Sequence, residues 1–178
     1  MIRLFVGLKL PDDLRDVLSI MERGIPGARW VASDNFHVTL RFIGDVAEHE
    51  AEDIDSSLRA IRARNFPLTL TGVGHFGKLR SARSIWTGVH ANPALKHLQA
   101  KVESAIVRAG FATEKRRFKP HVTLARIKGE TGHHLANFLS EHGDFRAAPF
   151  PVTAFHLYQS HLGRNGAAYE MLCSYPLE

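Results

Sequence analysis

Apolar residues occupy every second position at the start of the chain, from Ile2 to Leu8. Because side chains alternate between the two faces of a strand, this period of two predicts a β-strand with one buried face. Apolar residues at helical spacing follow from Leu14 to Met21, and Pro11 before two aspartates is typical of a helix start. Gly24 is expected to end this helix.

Short strand-like segments and amphipathic stripes continue to alternate along the rest of the chain. Helices are predicted around stripes that run from Ile54 to Ile61, from Leu95 to Ile106 and, more weakly, from Leu135 to Leu139. Further strands are predicted at about 37–43, 67–76, 84–90, 121–127, 150–160 and 167–174. The strands near 67–90 are too close for a crossover helix, which favours an α+β fold with antiparallel sheets.

The chain contains an internal duplication. The tetrapeptide His-Val-Thr-Leu at 37–40 recurs identically at 121–124, which is 84 residues later. The dipeptide Phe66-Pro67 recurs at the same offset as Phe150-Pro151. Because this offset is close to half of the 178 residues, we expect one domain spanning 1–178 that is built from two similar lobes around a pseudo-twofold axis, with helices outside and a central cleft.

The composition is that of an ordinary globular protein, with 44% hydrophobic and 23% charged residues. The single cysteine, Cys173, excludes an internal disulfide and favours a reducing compartment. No apolar run is long enough for a transmembrane helix, and the first residues lead into a strand pattern instead of a signal-peptide core. We therefore expect a cytoplasmic protein with no membrane association.

The formal net charge of +5 favours a partner that carries phosphate. The basic run Lys115-Arg116-Arg117, followed by Lys119, lies just before the second His-Val-Thr-Leu motif. It could contact an RNA backbone, and it could equally be a solvated loop.

The two motifs place a histidine and a threonine on one face of each strand. In the first motif His37 and Thr39 point to the same side, and the valine and leucine between and after them point to the core. His121 and Thr123 repeat this arrangement, so the pseudo-twofold axis predicts two histidines flanking one cleft. Packing alone would account for the repeated valine and leucine but not for the repeated histidine and threonine.

Paired imidazoles suit in-line displacement at phosphorus. One histidine can deprotonate the attacking hydroxyl while the other protonates the leaving oxygen, and neither step needs a metal or another cofactor. The hydroxyls of Thr39 and Thr123 can donate hydrogen bonds to the non-bridging phosphate oxygens. Only two of the 11 histidines are used in this way. The adjacent pair His133-His134 lacks further ligands at metal-binding spacing and is expected to be solvated surface.

The motifs and their surroundings resemble those of the RNA 2′,3′-cyclic phosphodiesterases, also called 2′-5′ RNA ligases, of the 2H phosphoesterase superfamily. The similar segments cover nearly the whole chain: Arg3–Gly7, Trp30–Val31, Asn35–Gly44, Gly74–Gly77, Ile85–Val89, Lys119–Arg126 and Tyr158–Glu170. The chain departs from the family at Ala82-Arg83-Ser84, because this hairpin usually carries a proline before the arginine.

The resemblance implies hydrolysis of RNA 2′,3′-cyclic phosphate ends to 2′-phosphomonoesters, with ATP-independent 2′-5′ ligation as the reverse reaction. It implies that His37 is the proton donor to the leaving 3′-oxygen and that His121 is the proton acceptor. A near-symmetric site can exchange these roles, so the direction stays open. The resemblance also implies that Arg126 contributes to phosphate binding.

The alternation of side chains along a strand points to a different arginine as the phosphate ligand. Arg126 is five residues after His121 and would face away from the cleft unless the strand ends or bulges near Ala125. Arg41 is four residues after His37 and has the correct parity without special geometry. Both arginines are therefore candidates for phosphate binding.

Three aromatic residues are candidates for stacking on a nucleobase: Phe42, Phe76 and Tyr158. The parity of Phe42 favours the core instead, whereas the other two lie in segments expected near the cleft. The partners expected are RNA ends or small cyclic nucleotides, bound by a monomer. Alternative hypotheses are the same chemistry on ADP-ribose cyclic phosphate or a 2′-5′ oligonucleotide, and a non-catalytic RNA-binding module. The sequence leaves the physiological RNA open.

Overall fold

Ten β-strands and four α-helices alternate along the chain in the computed structural model, which describes residues 1–178. The strands are β1 (Ile2–Lys9), β2 (Ala28–Trp30), β3 (His37–Val46), β4 (Phe66–Leu68), β5 (Leu70–Phe76), β6 (Ser84–Val89), β7 (His121–Ile127), β8 (Phe150–Val152), β9 (Ala154–Gly163) and β10 (Gly166–Pro176). The helices are α1 (Asp12–Ile20), α2 (Glu48–Arg59), α3 (Pro93–Arg108) and α4 (Gly132–His142).

The predicted elements are all present, with three differences. The segments predicted as single strands at 67–76 and 150–160 are each divided into two, because the chain leaves one sheet and enters another after residues 68 and 152. Helix α1 ends at Ile20, so Gly24, whose φ is +87°, lies in the turn beyond it. The three-residue strand β2 was not predicted.

The strands form two four-stranded antiparallel sheets. Sheet 1 has the order β10-β9-β1-β3, and sheet 2 has the order β2-β7-β6-β5. The α+β fold with two antiparallel sheets is therefore confirmed. The two halves of the sequence also exchange strands, since β9 from the second half joins sheet 1 and β5 from the first half joins sheet 2.

The repeated Phe-Pro dipeptides pair with each other. Strands β4 and β8 form a two-stranded antiparallel sheet in which Pro67 lies opposite Pro151. Equivalent residues that face each other in this way are expected where a pseudo-twofold axis passes through a duplicated structure.

The apolar halves of the two motifs form part of one core cluster of 36 buried residues. Val38, Leu40, Val122 and Leu124 are at most 3% exposed. Because side chains alternate along a strand, His37, Thr39 and their counterparts in β7 lie on the opposite face of each sheet, where they are half-buried. None of the helices is long and apolar enough to cross a membrane.

Candidate active site

The two motif histidines are the first residues of strands that contact each other, β3 and β7. His37 lies opposite Lys9 of β1, and His121 lies opposite Gly88 of β6, so each histidine begins its strand paired with a neighbouring strand of its own sheet. The buried valine and leucine of each motif fix the strands against the core. The duplication therefore brings the two imidazoles near each other, and the charge of His121 acts on the pKa of His37.

A backbone carbonyl two residues earlier fixes the tautomer of each imidazole. Nδ1 of His37 lies 2.7 Å from the carbonyl oxygen of Asn35, and Nδ1 of His121 lies 2.6 Å from that of Lys119. A carbonyl oxygen only accepts hydrogen bonds, so Nδ1 must carry the proton in both rings. Nε2 is therefore the nitrogen that remains for proton transfer.

Aromatic rings surround His37. The ring centroid of Phe5 lies 4.8 Å from that of His37, and Tyr169 approaches the imidazole edge-on at 5.0 Å. Tyr158 stacks on Phe5 at 5.0 Å. Nε2 of His37 accepts a hydrogen bond from the hydroxyl of Thr39 at 3.0 Å.

The environment lowers the pKa of His37 to about 4. Burial is the largest cause, because removal from water disfavours the charged imidazolium. The carbonyl of Asn35 opposes this shift, and the positive charges of His121 and Arg126 add to it. His37 is therefore neutral in the free protein at neutral pH.

Phe76 and Trp86 lie beside His121 in the other half of the cleft. Phe76 approaches this imidazole edge-on at 4.9 Å, and the Trp86 ring lies 6.0 Å away. A side chain at Gly74 would place its Cβ 2.4 Å from the Trp86 ring, so a glycine is required where the indole crosses β5. The ammonium group of Lys119 lies 4.8 Å from the centre of Trp86.

The pKa of His121 is also lowered, chiefly by burial. The carbonyl of Lys119 opposes the shift, whereas the charges of Arg126 and of the Lys119 side chain reinforce it. Burial thus disfavours the charged form of both histidines in the free protein.

A β-bulge in β7 places Arg126 on the cleft face. Trp86 pairs with Thr123 and Ile85 pairs with Ala125, so Leu124 is an extra residue on the bulged strand. Leu124 and Ala125 are therefore both buried, and Arg126 is exposed on the side of His121. Its charge lowers the pKa of both histidines, so Arg126 lies close to both.

The same bulge in β3 turns Arg41 away from the cleft. Gly7 pairs with Thr39 and Val6 pairs with Arg41, so Leu40 is the extra residue. Arg41 is 8% exposed and forms ion pairs with Glu103 at 2.8 Å and with Glu114 at 3.4 Å. The parity argument that directed Arg41 towards a phosphate is wrong, because it assumed an unbulged strand.

Phe42 is exposed on the cleft face. It lies opposite Phe5 across β1 and β3, and it is 44% exposed. Its predicted preference for the core is therefore wrong for the same reason, since the bulge at Leu40 inverts the parity of Arg41 and Phe42.

A cavity of about 200 Å³ adjoins His37. Its lining residues combine aromatic rings with charged groups: Lys9, Arg15, Asp34, Asn35, Phe36, His37, Tyr158, Tyr169 and Met171. The candidates Tyr158 and Phe76 therefore lie on different sides of the histidine pair, at His37 and His121 respectively. Sequence reasoning missed Tyr169, because one tyrosine in an alternating strand gives no signal of which face is the cleft.

His133 and His134 lie at the start of α4 with their ring centroids 4.2 Å apart. No group of three or more histidine, cysteine, aspartate or glutamate side chains is placed to hold a metal ion. The basic run before the second motif is exposed, and Arg116 forms an ion pair with Glu114 at 3.1 Å.

The chain is similar to known proteins in sequence and in fold. The sequence model of the 2′-5′ RNA ligase superfamily matches residues 24–164. The chain is 40% identical to the RNA 2′,3′-cyclic phosphodiesterase of Aeropyrum pernix over 161 residues, which is 89% of this chain and 90% of that protein. It is 32% identical to the protein of the same name from Thermotoga maritima, with 96% and 92% of the two chains covered.

A solved structure has the same architecture over the whole chain. The crystal structure of E. coli LigT complexed with 3′-AMP superposes with a TM-score of 0.79 at 30% sequence identity, and the match covers 99% of this chain and 98% of LigT. The paired His-x-Thr strands, the match to the family over most of the chain and the shared fold lead to one conclusion: this chain belongs to the 2′-5′ RNA ligase superfamily of 2H phosphoesterases.

Proposed function

We propose that this protein is an RNA 2′,3′-cyclic phosphodiesterase that hydrolyses cyclic phosphate ends to 2′-phosphomonoesters, and that it also joins such ends to a 5′-hydroxyl in a 2′-5′ linkage. One observation carries the proposal: two imidazoles, each fixed by a carbonyl at Nδ1, leave both Nε2 atoms for proton transfer beside the Arg126 guanidinium. The names and the overall similarity of the relatives support the same substrate class.

The reaction needs one base and one acid on opposite sides of phosphorus. Nε2 of His121 takes a proton from water as the water oxygen attacks, and the bond from phosphorus to the 3′-oxygen breaks. Nε2 of His37 gives a proton to that 3′-oxygen, and the phosphate stays on the 2′-oxygen. In ligation a 5′-hydroxyl takes the place of water as the nucleophile, so its proton goes to Nε2 of His121, and the departing 3′-oxygen again receives a proton from Nε2 of His37.

Because the pKa of His37 is low, His37 can act as the acid only if it becomes protonated when substrate binds. A neutral imidazole cannot donate from Nε2, so the proton must be present when substrate is bound. The anionic phosphodiester supplies the negative charge that raises the pKa of a neighbouring imidazole. The low pKa of His37, which favours its neutral form, also suits a second arrangement, in which His121 is the acid and His37 is the base.

The remaining cleft residues bind the phosphate and the nucleoside. The hydroxyls of Thr39 and Thr123 and the guanidinium of Arg126 donate to the non-bridging oxygens, whose charge grows in the transition state. The cavity beside His37, with Tyr158 on its wall, is large enough to receive a nucleobase. Phe76 and Phe42 offer further rings for stacking.

The first test is hydrolysis of an oligonucleotide with a 2′,3′-cyclic phosphate end in excess chelator. His37→Ala and His121→Ala should each lower kcat by about 10²–10⁴-fold, because each removes one acid–base group. His133→Ala serves as the matched control and should keep the wild-type rate. Wild-type rates in both motif variants would refute the mechanism, and loss of the wild-type rate in chelator would refute its metal independence.

A second test assigns the acid. A 4-nitrophenyl phosphodiester has a leaving group that departs without protonation, so the variant that lacks the acid should regain activity on it. Recovery in His37→Ala supports the assignment given above. Recovery in His121→Ala instead supports the exchanged roles.

A third test determines the substrate range by comparing kcat/KM on RNA ends, ADP-ribose 1″,2″-cyclic phosphate and 2′-5′ oligonucleotides. The proposal requires the highest kcat/KM on RNA ends or small 2′,3′-cyclic nucleotides.

We further propose that residues 1–178 act as one domain and that the protein is a monomer in the cytoplasm. The lone cysteine supports this location. Light scattering after size exclusion tests the monomer.

A further inference from the structure

Strand β2 places a second arginine directly beside Arg126. Arg29 of β2 lies opposite Arg126 of β7 in the antiparallel register. Directly opposed residues project from the same face, with their Cβ atoms about 4.5–5.5 Å apart. Arg29 therefore lies on the same face as Arg126.

The neighbouring residues confirm which face this is. Trp30 packs against Phe138 of α4 with the ring centroids 5.8 Å apart, and Ala125, opposite Trp30, is fully buried. That face belongs to the core, so Arg29, one residue earlier, projects into the cleft. A backbone hydrogen bond of 2.8 Å from Val31 to Leu124 holds β2 against β7 beyond the register pairs.

Neither guanidinium has a partner that neutralises it. Arg29 and Arg126 are both exposed, and neither forms an ion pair or a side-chain hydrogen bond. Like charges directly opposite each other on a sheet are destabilising. Arg41, by contrast, has two carboxylates. An anion bound between Arg29 and Arg126 would remove their repulsion.

The two arginines have different distances from the reacting centre. The charge of Arg126 acts on both histidines. Arg29 is one strand further out, and adjacent strands are separated by about 4.8 Å. The anion that Arg29 meets is thus displaced from the phosphate at which the histidines transfer protons.

We infer that Arg29 binds the phosphate on the 5′ side of the terminal nucleotide, next to the cyclic phosphate held by Arg126. This subsite, formed by Arg29 at the edge of sheet 2, rests on the proposed function. It would make the protein favour cyclic ends that belong to an RNA strand over free nucleoside cyclic phosphates. The ligand class is a nucleotide with phosphate at both its 5′ and its 2′,3′ positions.

The test compares adenosine 2′,3′-cyclic phosphate with and without a 5′-phosphate. The two substrates differ only in the phosphate that Arg29 is proposed to bind. Wild type should show a kcat/KM about tenfold higher for the 5′-phosphorylated substrate, because a charge-assisted hydrogen bond is lost without it. In Arg29→Gln this ratio should fall to near one, and Arg29→Lys should keep part of it.

The control is Arg108→Gln, since Arg108 is an exposed arginine at the end of α3, without an ion pair. Its ratio should equal that of wild type. Removal of one of two repelling charges should also leave the melting temperature of Arg29→Gln unchanged or higher, which separates the effect from misfolding. The wild-type preference should weaken as salt is added.

Three outcomes would overturn the inference. One is a wild-type ratio near one, and another is a ratio that Arg29→Gln leaves unchanged. The third is an equal loss of kcat/KM on both substrates in Arg29→Gln, which would place Arg29 at the reacting phosphate. No turnover of either substrate by wild type would instead refute the proposed function, and binding of 2′-AMP against adenosine 2′,5′-bisphosphate then decides the subsite separately.

Discussion

Phe42 and Arg126 occupy equivalent positions in the two repeats, each five residues after a motif histidine and each exposed beyond a β-bulge. One repeat thus presents an aromatic ring to the cleft and the other presents a guanidinium. The duplicated strands supply a symmetric pair of histidines. The difference between Phe42 and Arg126 makes the phosphate-binding side of the site asymmetric. A substrate with a defined direction requires such an asymmetry.

Replacement of Arg126 should weaken phosphate binding and also raise the pKa of both histidines. Arg126→Ala removes a positive charge that disfavours the imidazolium form, so the pKa of His37 and that of His121 should rise towards the ordinary value of about 6.5. We expect kcat/KM to fall by about 10²–10³-fold, as for loss of an oxyanion donor. NMR titration of the histidine ring protons in the free protein measures the pKa change directly. Unchanged titration curves would show that Arg126 is remote from the histidines.

Arg41 should contribute to stability and not to phosphate binding. Its guanidinium is buried against Glu103 and Glu114, so Arg41→Met leaves the Glu103 carboxylate without its ion-pair partner and should lower the free energy of unfolding by about 3–5 kcal/mol. Inhibition by inorganic phosphate, measured on the folded protein, should stay within a factor of a few of wild type. A loss of phosphate inhibition as large as that in Arg126→Ala would contradict this separation.

The contrast between these arginines shows how far the sequence predicts the site. His37 and Thr39 could be placed because an alternating strand with a buried Val38 fixes their face, and the repeat supplied the second pair. Residues beyond Leu40 could not, because a bulge depends on cross-strand pairing, and one extra residue inverts the parity that follows.

The sequence pattern also did not predict the exchange of strands between the two halves of the chain. In a duplicated chain β5 and β9 carry similar patterns, and each could pair with the neighbouring strand of either half. The choice is made by tertiary packing, which periodicity does not record. Strand β2 was missed because three residues are too few to show a period, although it carries Arg29.

The low pKa of His37 predicts a loss of stability in mild acid. The unfolded chain protonates this imidazole near pH 6.5, whereas the folded protein resists protonation until about pH 4. The stabilisation is therefore present above pH 6.5 and is lost as the pH falls towards 4. Urea unfolding of wild type and His37→Gln at about pH 7 and about pH 5 should show a smaller loss in the variant.

The control for this measurement is His133→Gln, because His133 is exposed. It should lose as much stability between the two pH values as wild type does. His121 and His156 also have a lowered pKa, caused chiefly by burial, so part of the pH dependence should persist in His37→Gln. An identical pH dependence in His37→Gln and wild type would show that His37 titrates normally in the folded protein.

The exchanged strands should make the two sheets unfold together. Because β9 completes sheet 1 and β5 completes sheet 2, neither sheet can be assembled from one half of the chain. Both tryptophans, Trp30 and Trp86, lie in sheet 2, whereas Phe155 is fully buried in β9 of sheet 1. Phe155→Leu should lower the free energy of unfolding by about 1–3 kcal/mol and shift the tryptophan-reported urea midpoint as much as the midpoint seen by circular dichroism. Ile20→Ala, at a site that is 69% exposed, should shift neither. A tryptophan midpoint that stays fixed while circular dichroism moves would mean that the sheets unfold independently despite their shared strands.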